Sequence, residues 1–163
     1  ADGDTLAVGT ATIRAVALPG HTTDMTGYAV GDVLLTGDSV FLDAVARPDL
    51  QAEGDTAALA ADLHRTLTDR LAAFDDATLL APGHHRPATS PDAEGRYVAS
   101  LGDLRETVTA FGLDRAALVD RLTGDLPPEP ANAARIVAAN RGEETLDDET
   151  AFELELGPNN CAA

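Results

Sequence analysis

Three places in this chain share one design: a short apolar run stops at a glycine, and the next residue can ligate a metal. They are Pro19-Gly20-His21, Gly37-Asp38 and Pro82-Gly83-His84. The runs before them are rich in Val, Leu, Ala and Ile and bounded by turn residues, which reads as strand. Strand ends fix position, and a glycine turn lets the backbone swing a side chain into a shared cleft. The chain is thereby constrained to an α/β unit whose strand ends meet at one place.

The pattern around these points fills in the elements. Residues 6–18 suggest two short strands about a turn at Gly9, the second ending at Pro19. Residues 27–30 and 33–36 flank Gly31-Asp32, the signature of a tight hairpin. A helix should start at a cap on Asp55 or Thr56 and carry Leu59, Leu63, Leu67 and Leu71 at i, i+4 spacing to about Phe74. Residues 77–81 read as a buried strand. Ser90-Pro91 looks like a cap and first-turn proline opening a second long helix through Val98, Leu101, Leu104, Val108 and Phe111. Asp114 should cap a shorter helix through Leu118 and Leu122 to Gly124. After the rigid spacer Pro127-Pro128-Glu129-Pro130, another helix is expected from Ala131 to about Asn140. The last run, Phe152-Glu153-Leu154-Glu155-Leu156, alternates like a half-exposed strand.

Composition excludes several classes of function. At 163 residues and 44% hydrophobic, the chain can build a core, but with 4% aromatic residues and no Trp that core must rest on Leu, Val, Ala and Ile. No run of eighteen apolar residues occurs and the start lacks a leader pattern, so no membrane span is expected and a cytoplasmic location is. Asp and Glu number 28 against 11 cations, all of them Arg, for a net charge of −17. So acidic a surface repels phosphate backbones, which argues against nucleic acid as a partner. Acid spread along the whole chain, with no Lys, suits molar salt, where the short Debye length screens self-repulsion; a merely acidic cytosolic protein is the plainer alternative. The one cysteine, Cys161, rules out an internal disulfide and any thiolate-rich metal site.

Imidazole and carboxylate are the ligand types of zinc and non-haem iron. One Pro-Gly-His is more often a turn with a solvated imidazole, and one Gly-Asp a turn or helix cap. Two Pro-Gly-His turns with a strand-terminal Asp between them form a rarer set. His64, beside the apolar stripe of its helix, reads as surface or interface packing. His85 should point away from its neighbour His84, and Tyr28 reads as a packing residue.

Pro19-Gly20-His21-Thr22, Thr36-Gly37-Asp38-Ser39-Val40-Phe41 and Ala81-Pro82-Gly83-His84 resemble the later motifs of the metallo-β-lactamase superfamily, in order and roughly in spacing. Arg47-Pro48-Asp49-Leu50-Gln51 is similar to the branch holding persulfide dioxygenases and their rhodanese-fused relatives; glyoxalase II thioesterases share the His and Asp motifs but differ there. Thr23-Asp24 and Ala46 depart from the commoner residues without removing a ligand. The superfamily's His-x-His-x-Asp-His loop is not in this sequence, so the resemblance implies a C-terminal half of an αββα sandwich plus a helical extension. The expected division is 1–112 for the half-fold and 113–163 for the extension.

The resemblance further implies roles. His21 would be a direct metal ligand. Asp38 would be the carboxylate ligand, a bridge in dinuclear branches, and with His84 a catalytic residue. His84 would bind a second metal in dinuclear relatives and line the pocket in mononuclear iron enzymes. Arg47 could bind the carboxylate of an anionic thiol substrate or brace the loop against Asp49. The implied cofactor is one Fe(II), or one or two Zn(II). The implied activity is an iron-dependent dioxygenase acting on a small thiol persulfide. The alternatives are a dinuclear zinc hydrolase of thioesters, and an idle fragment or subunit needing the other half. The implied partner is that other half, its uncovered sheet face needing a cover, and the complete protein is expected to be a homo-oligomer.

Overall fold

A computed structural model describes residues 1–51, 55–124, 126 and 128–156. Six strands form one sheet in the order β1-β2-β3-β4-β5-β6. β1 (Thr5–Val8), β2 (Ala11–Ala17), β3 (Thr26–Val30) and β4 (Val33–Gly37) make an antiparallel meander. Both expected hairpins are present, with turns at Gly9 and at Gly31-Asp32. β5 (Leu79–Pro82) then pairs parallel to β4, and β6 (Ala99–Ser100) closes the far edge against β5.

A parallel neighbour requires a crossover, and α1 (Thr56–Arg65) supplies it. Asp55 caps it, its carboxylate accepting from the amides of Ala57 and Ala58. The helix continues through a π-helical turn (Thr66–Arg70) and a 3₁₀ turn (Leu71–Ala73). The stripe of Leu59, Leu63, Leu67 and Leu71 is buried throughout, and its last three members pack with Val16, Leu18, Leu34 and Leu80. α2 (Leu101–Thr107) and α3 (Arg115–Thr123) add Leu101, Leu104, Leu118 and Leu122 to the same core, with Asp114 capping α3 as expected.

All this packing lies on one side of the sheet. On the other side the register aligns Leu6 with Ile13, Ile13 with Val30, Tyr28 with Leu35, and Leu35 with Ala81. Leu6, Val8, Tyr28 and Leu35 are exposed there. Tyr28, expected to pack, is 47% exposed on this face. No described helix is long and apolar enough to cross a membrane.

Two expected elements differ. Ser90-Pro91 opens no helix: the Asp92 carboxylate accepts from the amides of Glu94 and Arg96, and Asp92 N donates to Arg96 O at 2.8 Å, folding the segment into a tight turn. The helix starts ten residues later, where Ser100 caps α2 by accepting from Asp103 N. Residues 152–156 belong not to a strand but to α5 (Asp148–Leu156). The Asp147 carboxylate accepts from Thr150 N and two acids occupy the first turn, which favours a helix start. α4 (Ala133–Asn140) lies where a helix was expected. Cys161 and Pro127 lie outside the described residues.

Candidate metal centre

Three loops leave the sheet and are tied to one another. The first follows β2. Gly20 sits at φ 146° with the Leu63 side chain and backbone of α1 against it, so that a Cβ would lie 2.5 Å from Leu63 Cβ; only glycine lets the loop approach the helix so closely. The π-helical turn adds a second tie, the buried Thr66 hydroxyl donating to Pro19 O at 2.7 Å. Such turns are frequent at functional sites. Thus α1 sets the position of His21.

The second loop carries Asp38 at the end of β4. Buried Thr36 donates its hydroxyl to Val40 O at 2.8 Å, and buried Ser39 donates to Leu18 O at 3.2 Å, joining this loop to the end of β2. The third loop follows β5. Gly83 N donates to Gly37 O at 2.8 Å, and a Cβ on Gly83 would stand 3.0 Å from Asp38 Oδ1. Its lack of a side chain brings His84 onto Asp38.

The imidazoles are oriented by acceptors. His21 Nδ1 lies 2.9 Å from Arg47 O, and His84 Nδ1 lies 2.6 Å from Asp38 Oδ1. A carbonyl and a carboxylate only accept, so each Nδ1 carries the proton and each ring's lone pair sits on Nε2. Anchoring of one ring nitrogen in this way is how ligating histidines are commonly held. His21, Asp38 and His84 all line one cavity of about 700 Å³, whose far wall is α4, α5 and the segment between them.

Arg47 is buried, 1% exposed, and does not line that cavity. Its Nε and Nη2 donate to the two Asp49 oxygens at 2.8 and 2.7 Å, and Nη1 donates to Pro128 O at 3.1 Å. Of the two expected roles, the contact with Asp49 is the one seen. The bidentate pair braces the loop, because a guanidinium fork matches a carboxylate and a buried cation needs a partner. The Arg47 hydrogen bond also holds the Asp49 carboxyl below the ordinary carboxylate range. His85 turns away from the cavity and stacks on Tyr97, ring centroids 3.7 Å apart, and His64 is half-buried on α1.

The donors fit iron or zinc in kind. They fall short in number, for among the described residues no three His, Cys, Asp or Glu side chains come together as a metal-holding group. Sequence reasoning missed the residues that position the donors, Thr36, Ser39 and Thr66, and also the α4–α5 wall. Thr36 and Ser39 flank Gly37-Asp38 and could have been read as loop-locking hydroxyls; Thr66 and the wall depend on contacts distant in sequence.

Comparison with solved structures gives the class. A metallo-β-lactamase from Staphylococcus aureus subsp. aureus COL superposes with a TM-score of 0.77 at 23% identity, over 91% of this chain and 45% of that one. This chain has the metallo-β-lactamase fold, matched over about half of such a protein. ETHE1 from Myxococcus xanthus superposes with a TM-score of 0.74 at 30% identity, over 86% of this chain and 58% of that one. The solved neighbours are thus members of the metallo-β-lactamase superfamily, ETHE1 among them. An uncharacterized protein of Mycobacterium leprae (strain TN) is 35% identical over 99 residues, 59% of this chain and 43% of the relative. The chain spans less than half the length of the curated relatives it matches. No family model matches it.

Proposed function

We propose that this chain supplies the His21, Asp38 and His84 side of the metal site of an Fe(II)-dependent dioxygenase acting on a small thiol persulfide. The observation that carries this reading is that His21, Asp38 and His84 line one cavity, with both imidazoles anchored through Nδ1. The braced Arg47-Pro48-Asp49-Leu50-Gln51 segment beside them supports the persulfide dioxygenase branch, as does the 30% identity to ETHE1.

His21 and Asp38 would hold the ion, with further donors supplied by a His-x-His-x-Asp-His loop outside this chain. A bound iron(II) contributes coordination positions open to a substrate sulfur and to O₂. The rest is the work of the chain's own residues. Arg47 O keeps the His21 ring turned, and the His84 N–H on Asp38 Oδ1 orients the carboxylate and stabilises its charge. The partner segment would also cover the apolar face of Leu6, Val8, Tyr28 and Leu35. Alone, the chain should bind metal weakly, since part of the ligand set is missing.

Asp38→Ala in the protein assembled with that loop should abolish metal-dependent turnover, measured as O₂ uptake with a thiol persulfide. Undiminished turnover would remove Asp38 from the site and this reading with it.

A further inference from the structure

The wall that α4 turns to the cavity follows from its sequence. Ala133, Ile136, Val137 and Asn140 line the cavity at i, i+3, i+4 and i+7, which is one face of a helix. Arg135 lies off that face and pairs with Glu144. Ile136 and Val137 are half-buried, and among the described residues neither belongs to the core that α1 shares with the sheet. They face a space of about 700 Å³, a size that suits a small-molecule ligand. Apolar side chains held out of the core in this way leave surface that a bound molecule would take out of water.

The wall is also registered against the metal donors. Arg47 Nη1 donates to Pro128 O at 3.1 Å, on the segment that leads into α4, while Arg47 O accepts from His21 Nδ1 at 2.9 Å. One residue thus fixes the place of the apolar face and of the first donor. The cavity has two chemistries on two sets of elements: His21, Asp38 and His84 on the loops, and hydrocarbon on α4. Arg141, just past the end of the helix, is paired with Glu143. A molecule whose sulfur end meets the loops would therefore lay its body on Ile136 and Val137.

We propose that the Ile136–Val137 face is a substrate-body subsite, selecting thiol derivatives whose body is aliphatic and uncharged. This rests on the reading of the cavity as the substrate site and names the substrate class for it.

The test needs neither metal nor turnover. The chain has no Trp, so binding is followed by ¹H–¹⁵N NMR. The probes are three neutral 2-(alkylthio)ethanols, with ethyl, butyl and hexyl chains, and 6-(2-hydroxyethylthio)hexanoate, whose chain ends in a carboxylate. Affinity should rise about tenfold for each two methylenes added, with shifts centred on residues 133–140. The carboxylate should bind about tenfold more weakly than the hexyl probe. Val137→Thr, similar in shape but with a hydroxyl, and Ile136→Ala should each flatten the chain-length dependence. Both positions lie outside the core, so an unshifted urea midpoint shows that each variant keeps the fold. Equal affinities along the series, a dependence undiminished in both variants, or a carboxylate bound as tightly as the hexyl chain would each overturn the proposal. So would shifts centred on Leu6, Tyr28 and Leu35 of the open sheet face, or no binding at all. O₂ uptake separates the two readings: chain-length selectivity without persulfide oxidation leaves the subsite standing and removes the reaction, and the converse removes the subsite alone.

Discussion

At the scale of single residues, the site depends on side chains that never enter the cavity. Arg47 is the clearest, its guanidinium joining the loop after β4 to Pro128 while its carbonyl turns His21. Asp49→Asn should therefore cost about 3 kcal/mol in urea unfolding, because it takes the bidentate partner from a buried cation. The same pair sets an acid dependence. The Asp49 carboxyl is held below its ordinary value of 3.8, first by the Arg47 hydrogen bond. A depressed folded-state value gives stability that is complete above about pH 3.8 and is lost as pH falls through the lower folded value. Asp49→Asn should flatten that part of the stability–pH curve, and an unchanged acid limb would show that the pair contributes nothing. Asp38→Ala, by contrast, should remove turnover with a smaller effect on folding, since Asp38 lines the cavity and is not part of the hydrophobic core.

At the scale of elements, α1 connects core and site. Leu63 is fully buried and also fills the space against Gly20. Leu63→Ala should destabilise the chain by about 2–5 kcal/mol in thermal or urea unfolding. It should also loosen the His21 loop, seen as broadened His21 ring resonances; a sharp, unshifted ring would show that the helix does not hold the loop. Elements governed by local chemistry were legible in the sequence: the Gly9 and Gly31-Asp32 hairpins, the Asp55 and Asp114 caps, the leucine stripe and the placement of His21, Asp38 and His84 just past strand ends. The failures came where a local signal had a competing partner. Ser90-Pro91 has helix-start chemistry, but Asp92 captures two amides first and closes a turn. Residues 152–156 alternate like a strand, but the capped acidic start at Asp147 and Asp148 makes a helix. The α4–α5 wall was illegible as part of a site because nothing in its own sequence points to His21, Asp38 or His84 far earlier in the chain. Arg47 read equally well as substrate contact or brace, and its burial beside Asp49 is visible only in the fold.

At the scale of the whole molecule, two features remain open to solution. One is the charge of −17, whose self-repulsion opposes the compact state at low ionic strength. The melting temperature should rise steadily between about 0.1 and 2 M KCl, well past the range in which a Debye length of ~10 Å shrinks to ~3 Å; a flat response would argue against salt adaptation. The other is the uncovered sheet face, which a segment bearing the missing ligands would bury as it completed the metal site. The central claim is the reaction of that assembly. It is tested most directly with an oxygen electrode, on the chain joined to a polypeptide bearing the His-x-His-x-Asp-His loop, loaded with iron or with zinc and given a small thiol persulfide. O₂ consumption is expected with iron and none with zinc. Thioester cleavage by the zinc form, with no O₂ uptake by the iron form, would contradict it.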